Sequence, residues 1–204
     1  SDRGRCNVLN SSLCNLVFIA YSKTNDSKAA EAAFSFIINR IDRWTKGEKT
    51  VIFPTVVGLG AAIVSLGKQK RIDNALRLLE QVRLVSDEGV PDIKPDAGCY
   101  VNILRPLAHN QAAYRADQAL RIAKCMKEDI GTVSTEALNL AIDVCSKTVG
   151  SQIDKRKALE AAFLIFQFCR ESSSCDAVTY GLVIRACINL TEDEDTRTKL
   201  VEVS

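Results

Sequence analysis

Two stretches of this chain, separated by more than a helix-loop-helix length, carry one pattern, and that recurrence limits the fold more tightly than any local propensity. Leu138-Asn139-Leu140-Ala141-Ile142-Asp143-Val144-Cys145 and Tyr180-Gly181-Leu182-Val183-Ile184-Arg185-Ala186-Cys187 match in apolar spacing and terminal cysteine at an offset of 42 residues. Earlier copies begin at Cys14, Val56 and Tyr100. Six residues past each start stand Ala20, Ala62, Pro106, Val144 and Ala186, and nine past stand Lys23, Ser65, His109, Lys147 and Asn189. A self-similar period of this length is the signature of stacked supersecondary units.

A second amphipathic stretch follows each of the first four copies, at residues 30–38, 72–82, 116–126 and 159–169. These stretches share a small anchor at Ala33, Ala75, Ala119 and Ala162, spaced by 42, 44 and 43 residues. Around each anchor the apolar face continues at i+1 and i+4: Phe34 and Ile37, Leu76 and Leu79, Leu120 and Ala123, Phe163 and Phe166. That spacing is helical, not the alternation of a strand. Polar breaks at 24–27, 67–70 and 148–152 separate the paired helices, and turn-forming residues at 46–47, 89–91, 94–96, 131 and 172–174 separate the units. Asp96 and Asp176 are placed to cap the helices that follow. A two-helix unit cannot bury its apolar faces alone, so the units stack, and a small residue at the anchor lets the second helix approach the first.

The fold class expected is all-α: a right-handed α-solenoid of about four and a half helix-turn-helix repeats in one domain. The repeats run approximately over 11–52, 53–96, 97–134, 135–176 and 177–204, the last incomplete, with an unfinished second helix through Leu200 and Val201.

Composition narrows the function classes. A formal net charge of +2 is too small for a general polyanion binder, so any nucleic-acid contact depends on local placement. No apolar run is long enough for a membrane span, and the start lacks a signal-peptide pattern. The eight cysteines contain no CxxC pair and His109 is the only histidine, so reduced cysteines acting as small hydrophobes are expected and a zinc site is not. Gly58 and Gly60 fall inside an apolar helix rather than after a strand, which excludes a phosphate loop and points to close helix packing. The acidic run 192–195 reads as solvated surface, His109 as a surface or structural histidine, and Trp44 as a ring packed beneath a loop. No catalytic residue, metal, cofactor or small-molecule substrate is expected.

Arg71-Ile72-Asp73-Asn74-Ala75-Leu76-Arg77-Leu78-Leu79-Glu80-Gln81-Val82 and Asp176-Ala177-Val178-Thr179-Tyr180-Gly181-Leu182-Val183-Ile184-Arg185-Ala186 resemble the second and first helices of a pentatricopeptide repeat. Lys94-Pro95-Asp96-Ala97-Gly98-Cys99-Tyr100 resembles the junction between two such repeats, and residues 116–126 resemble another second helix. Tetratricopeptide repeats fit less well, because their tryptophan-glycine-tyrosine helix and late proline are absent; HEAT-type repeats share the period. The loops here are longer than the pentatricopeptide pattern.

The resemblance implies a plastid or mitochondrial protein that binds single-stranded RNA, reading one base with the residue after the aromatic position and the last residue of each repeat. Those pairs are Asn15 with Ile52, Val57 with Asp96, Val101 with Ser134, and Asn139 with Asp176. Only the last is fully polar, of a uracil-preferring kind, and the same two residues also suit local capping. The RNA-binding candidates are therefore Asn15, Asp96, Ser134, Asn139 and Asp176. Lys23, Lys68 and Lys147, with Lys70, Arg71 and 155–157 nearby, are candidates for phosphate contact. The leading expectation is an RNA-binding factor in organellar RNA processing, stability or translation. The alternative is a non-catalytic scaffold or accessory subunit of a large organellar complex, such as a ribosome or a photosynthetic or respiratory assembly.

Overall fold

The computed structural model describes residues 2–109, 115–131 and 134–191, with side chains described from residue 11 onward except Pro91. The expected second helix through Leu200 and Val201 and the acidic run 192–195 lie outside the described residues. Among those described there are nine α-helices, one short 3-10 helix and no strand. The helices are α1 (Asp2–Lys23), α2 (Ser27–Thr45), α3 (Val56–Lys68), α4 (Ile72–Asp87), α5 (Ala97–Ala108), α6 (Arg115–Ile130), α7 (Thr135–Ser146), α8 (Gln152–Glu171) and α9 (Ala177–Leu190), with the 3-10 turn at Pro91–Ile93 before α5. Every copy of the repeated segment is a helix, and so is each of the four second stretches.

The chain divides into two compact units, Ser1–Ile103 and Leu104–Ser204, and the division falls within α5. In the first unit α1 packs on α3 and α2 packs on α4, while α3 also touches its own partner α4 and the preceding α2. In the second unit α7 packs on α9 and α6 on α8, with α7 against α6 and α8. First-type helices thus meet first-type helices, and second-type meet second-type.

The alanine anchors explain how the second helices seat. Ala33 and Ala119 are 0% exposed and Ala75 and Ala162 1%, each at the centre of its helix's buried stripe. On α2 that stripe is Ala30, Ala33, Phe34, Ile37 and Ile41, and on α4 it is Ile72, Ala75, Leu76, Leu79 and Val82. Burying one such aliphatic side chain contributes roughly 1.5–3 kcal/mol before the entropy of ordering it is subtracted. α3 is buried nearly all round, at Leu59, Ala61, Ala62, Ile63 and Leu66, because α1, α2 and α4 all press on it.

The helix ends follow their sequence signals. Asp26 accepts from the Lys28 N–H at 2.9 Å, Asp96 from the Cys99 N–H at 2.9 Å, and Ser151 and Asp154 form a reciprocal capping box at the start of α8. After α4 the chain turns through Gly89 at φ +117°, and the Val90 N–H returns to the Val85 carbonyl at 3.2 Å, a left-handed stop that suits glycine. The sequence break at 67–70 begins later than its glycine suggests: Gly67 and Lys68 are still helical, and Lys70 takes the positive φ instead. α5 carries Pro106 inside it and ends two residues later, as expected where a backbone donor is missing.

No helix of the described residues is long and apolar enough to cross a membrane.

Candidate functional site

The residues singled out as RNA-binding candidates sit where one first-type helix meets the next. At the α1–α3 seam, Asn15 Nδ2 donates to Thr55 Oγ1 at 2.8 Å, and the Thr55 backbone N–H donates to Asn15 Oδ1 at 3.0 Å. Thr55 is the N-cap of α3 and makes no side-chain cap of its own, so Asn15 reaches across from α1 and satisfies an end that is otherwise open. Just below, the Ser11 hydroxyl donates to the Phe53 carbonyl at 2.8 Å.

The α7–α9 seam repeats this construction. Asn139 Nδ2 donates to Asp176 Oδ1 at 3.2 Å, and the Thr179 hydroxyl lies 2.7 Å from Asn139 Oδ1. Asp176 is the N-cap of α9 and forms a capping box with Thr179, whose N–H it accepts at 2.8 Å. The Thr135 hydroxyl donates to the Ser174 carbonyl at 3.0 Å, the counterpart of Ser11 to Phe53. The Thr179 N–H and hydroxyl, and then the Asn139 amide, hold the Asp176 carboxyl below its usual value. Asp176 is therefore a carboxylate fixed as an acceptor.

Asn15 was paired by sequence spacing with Ile52, but the residue that meets it is Thr55, three positions later. The loop before α3 is longer than the spacing assumed, so the N-cap lies beyond the expected repeat boundary. Asp96 and Ser134 are also N-caps, of α5 and α7; Ser134 accepts from the Ala137 N–H at 3.5 Å. Val57 is 56% exposed, whereas Val101 is buried at 7%. Thr55 and Thr179 were not singled out by sequence reasoning. The available signal was a threonine directly before the repeated segment in both places, Thr55 before Val56 and Thr179 before Tyr180.

The other ends of the seams hold two of the three lysine candidates. Lys68 Nζ donates to the Ser22 carbonyl in the last turn of α1. Lys147 Nζ donates to the Ala108 carbonyl at 3.1 Å and pairs with Asp143 at 2.6 Å. Asn189 repeats the arrangement, donating to the Ser146 carbonyl at 3.1 Å. Each donor neutralises a carbonyl left open at a helix C-terminus. Lys23 is exposed in the last turn of α1 and has no ion pair among the described residues.

An open groove of about 550 Å³ runs along α7 and α9, lined by Asn139 and Asp176 at one end and Asp143, Lys147 and Arg185 further along, with Leu140, Val178 and Leu182 as apolar floor and Thr135 and Glu136 at the rim. Its three carboxylates, Glu136, Asp143 and Asp176, outnumber its two cations. Both cations are paired with Asp143, Arg185 by a short contact, and Glu136 is bridged by Arg105 at 2.7 Å. The groove offers neutral and anionic hydrogen-bonding groups to a ligand and little attraction for a polyanion.

Trp44 packs edge-on against Phe53 with ring centroids 6.0 Å apart and Lys49 Nζ 4.1 Å above its ring, beneath the loop before α3. His109 is exposed just past α5. Of the described cysteines, Cys99, Cys145, Cys169 and Cys187 are buried, and none is in a disulfide. Burial pushes the Cys99 and Cys145 thiols up to about 12. Among the described residues no group of three or more His, Cys, Asp or Glu side chains is placed to hold a metal ion. Compared with family models, with curated proteins and with solved structures, the chain finds no match.

Proposed function

We propose that this chain is a non-catalytic helical-repeat scaffold, an α-solenoid of pentatricopeptide type that serves as an accessory subunit of a large plastid or mitochondrial assembly. The observation that carries this reading is the engagement of the polar residues at the seams. Asn15, Asp96, Ser134, Asn139 and Asp176 all hold helix ends, and Lys68 and Lys147 neutralise C-terminal carbonyls. Exposed aliphatics such as Val57, Val178 and Leu164 leave surfaces better suited to protein than to phosphate.

A second reading, RNA binding in organellar RNA processing, stability or translation, rests on one observation. Asn139 and Asp176 lie side by side at the mouth of the α7–α9 groove, where an amide and a carboxylate can both face one base edge.

The two are separated by binding to single-stranded oligonucleotides at low salt, together with capture of the tagged chain from organelle extract with and without ribonuclease. The scaffold reading expects no saturable RNA binding and an unchanged, stoichiometric set of partners after ribonuclease. Saturable binding to uridine-rich RNA that is lost in Asn139→Ala, or partners released by ribonuclease, would establish the second reading instead.

A further inference from the structure

The turn that joins α8 to α9 brings two thiols together. After α8 ends at Glu171, Ser173 takes the left-handed region at φ +50° and the chain folds back on the helix. The Ser173 N–H reaches the Arg170 carbonyl at 3.1 Å and the Ser174 N–H the Cys169 carbonyl at 3.0 Å, the paired bonds of a Schellman closure. This sets Ser174 against Cys169: its hydroxyl donates to the Cys169 carbonyl at 3.3 Å and lies 3.6 Å from Cys169 Sγ. The next residue is Cys175, and its thiol is hydrogen-bonded to the Cys169 thiol.

The turn is held from both sides. From α7 the Thr135 hydroxyl donates to the Ser174 carbonyl at 3.0 Å, and Asp176, directly after Cys175, is the N-cap of α9. Cys169 Sγ also lies 3.9 Å from the hydroxyl of Thr179, the residue that completes the α9 capping box. Backbone and side-chain bonds thus bring the segment 169–175 almost to a closed ring, and a covalent bond between its two sulfurs requires no search by a free loop.

The two thiols differ in access. Cys169 is buried, while Cys175 is half-buried in the turn and is the one a solute reaches first. Burial, and after it the Cys169 thiol, push the Cys175 thiol up to about 11. A thiol of that value is mostly protonated at neutral pH, so it exchanges slowly and responds to a sustained redox poise rather than to a brief oxidant.

We propose that Cys169 and Cys175 are a reversible dithiol site, oxidised by a low-molecular-weight disulfide to an intramolecular disulfide that ties the last turn of α8 to the N-cap of α9. Cys175 loses its proton to solvent and its thiolate attacks one sulfur of the oxidant. A mixed disulfide forms at Cys175, the oxidant's own S–S bond breaks, and one thiolate leaves and takes up a proton. Cys169 then gives up its proton and attacks the Cys175 sulfur, so the bond between the two cysteines forms and the second small thiol leaves. The cysteines lose two electrons and two protons, and the oxidant gains both as two thiols. The site stands whatever the exposed faces or the α7–α9 groove bind.

The test uses the folded full-length chain equilibrated with glutathione disulfide and glutathione at graded ratios, then acid-quenched, alkylated and digested with trypsin. Arg170 lies between the two cysteines, so peptides 158–170 and 171–185 stay together only through the proposed bond. The linked pair is expected to appear as the ratio turns oxidising, at least about tenfold over glutathione adducts at either cysteine because the second thiol is already in place, and to vanish with dithiothreitol. Cys169→Ser should keep a glutathione adduct at Cys175 and no linked pair, and Cys175→Ser should leave Cys169 unreacted. Matching thermal melts confirm that the variants fold, with Cys169→Ala in place of Cys169→Ser if its melt shifts. In the oxidised wild type the Thr179 N–H, which donates to Asp176 at 2.8 Å, should exchange with solvent at least about threefold more slowly. A wild-type adduct that persists at Cys175 without the linked pair, a linked pair that forms only in urea, two cysteines that stay reduced at every ratio, or an unchanged Thr179 exchange rate would each overturn the proposal.

Discussion

Gly58→Ala tests whether the α1–α3 seam is as tight as its geometry states. A Cβ built at Gly58 lies 2.4 Å from Asn15 Oδ1 and 2.7 Å from Pro54 Cβ. Ordinary contact begins near 3.4 Å, so Asn15 must retreat by about 1 Å and the Pro54 ring by somewhat less. Asn15 cannot retreat without loss, because the same oxygen accepts the Thr55 N–H and the same amide donates to Thr55 Oγ1. Each broken bond costs roughly 0.5–1.5 kcal/mol, and overpacking of this kind roughly 1–3 kcal/mol. Opposing them is the helix-propensity gain of Gly to Ala, about 1 kcal/mol. The net expectation is a loss of about 1–5 kcal/mol, read as a lower urea midpoint at unchanged slope.

Two companion variants make the reasoning falsifiable. Gly60→Ala, two residues along the same helix, meets only Asn102 Nδ2 at 3.8 Å and should gain up to about 1 kcal/mol. In an Asn15→Ala background the Gly58→Ala penalty should shrink by at least about 1 kcal/mol, because the amide it displaces is already gone, while the Pro54 contact keeps part of it. A Gly58→Ala protein as stable as wild type, or a penalty unchanged in the double mutant, would refute the account of the seam.

Three further outcomes follow from the same contacts. Asp176 has a folded value below the usual carboxylate range, so its contribution is present above the unfolded value of about 3.9 and is lost as pH falls through the folded one. Asp176→Asn should therefore flatten the acid limb of the stability curve, measured by urea unfolding between pH 2 and 6 (roughly the range of carboxylate titration), leaving the slope from Asp154 and Glu171, which are lowered too. Ala119→Leu forces a larger side chain into a fully buried helix contact and should destabilise by about 1–3 kcal/mol or more in thermal unfolding. Cys99 and Cys145, buried and with thiols pushed up to about 12, should resist alkylation in the native state and react once urea unfolds the chain, followed by mass spectrometry of labelled peptides.

The helices and their core were legible because periodicity is a local signal repeated several times. Ala33, Ala75, Ala119 and Ala162 stood out by spacing alone and all four are buried. Asp96 and Asp176 announced helix starts because a short acceptor before an apolar run has few other roles. The seam partners were less legible. Thr55 meets a residue 40 positions away, and Lys68 one 46 away. Such pairings depend on where each loop ends, and one loop of uncertain length shifted the expected partner of Asn15 from Thr55 to Ile52. Lys147 read as a phosphate contact because a lysine near a helix end is usually solvated. Its engagement by Asp143 and the Ala108 carbonyl follows from two helices brought side by side, which sequence spacing does not report.

The positions at which a pentatricopeptide-type repeat reads a base are the positions at which this chain closes its seams, and that overlap has a physical origin. The residue early in one first-type helix and the N-cap of the next are brought together by stacking, so any polar pair placed there finds itself within hydrogen-bond reach, as Asn139 and Asp176 do. A pair can read a base only if the bonds it gives up are returned by the base edge. Asn139 and Asp176 are anchored by Thr179 through a hydroxyl and an N–H as well as to each other, so a base can replace the contact between them but not the contacts to Thr179 without opening the start of α9. Asn15 is more constrained still, since its oxygen accepts the first open N–H of α3. A polar residue at these positions is thus weak evidence of recognition by itself. What distinguishes a reader from a clasp is the number of hydrogen-bonding sites left after the helix end is satisfied, and here the helix ends take most of them.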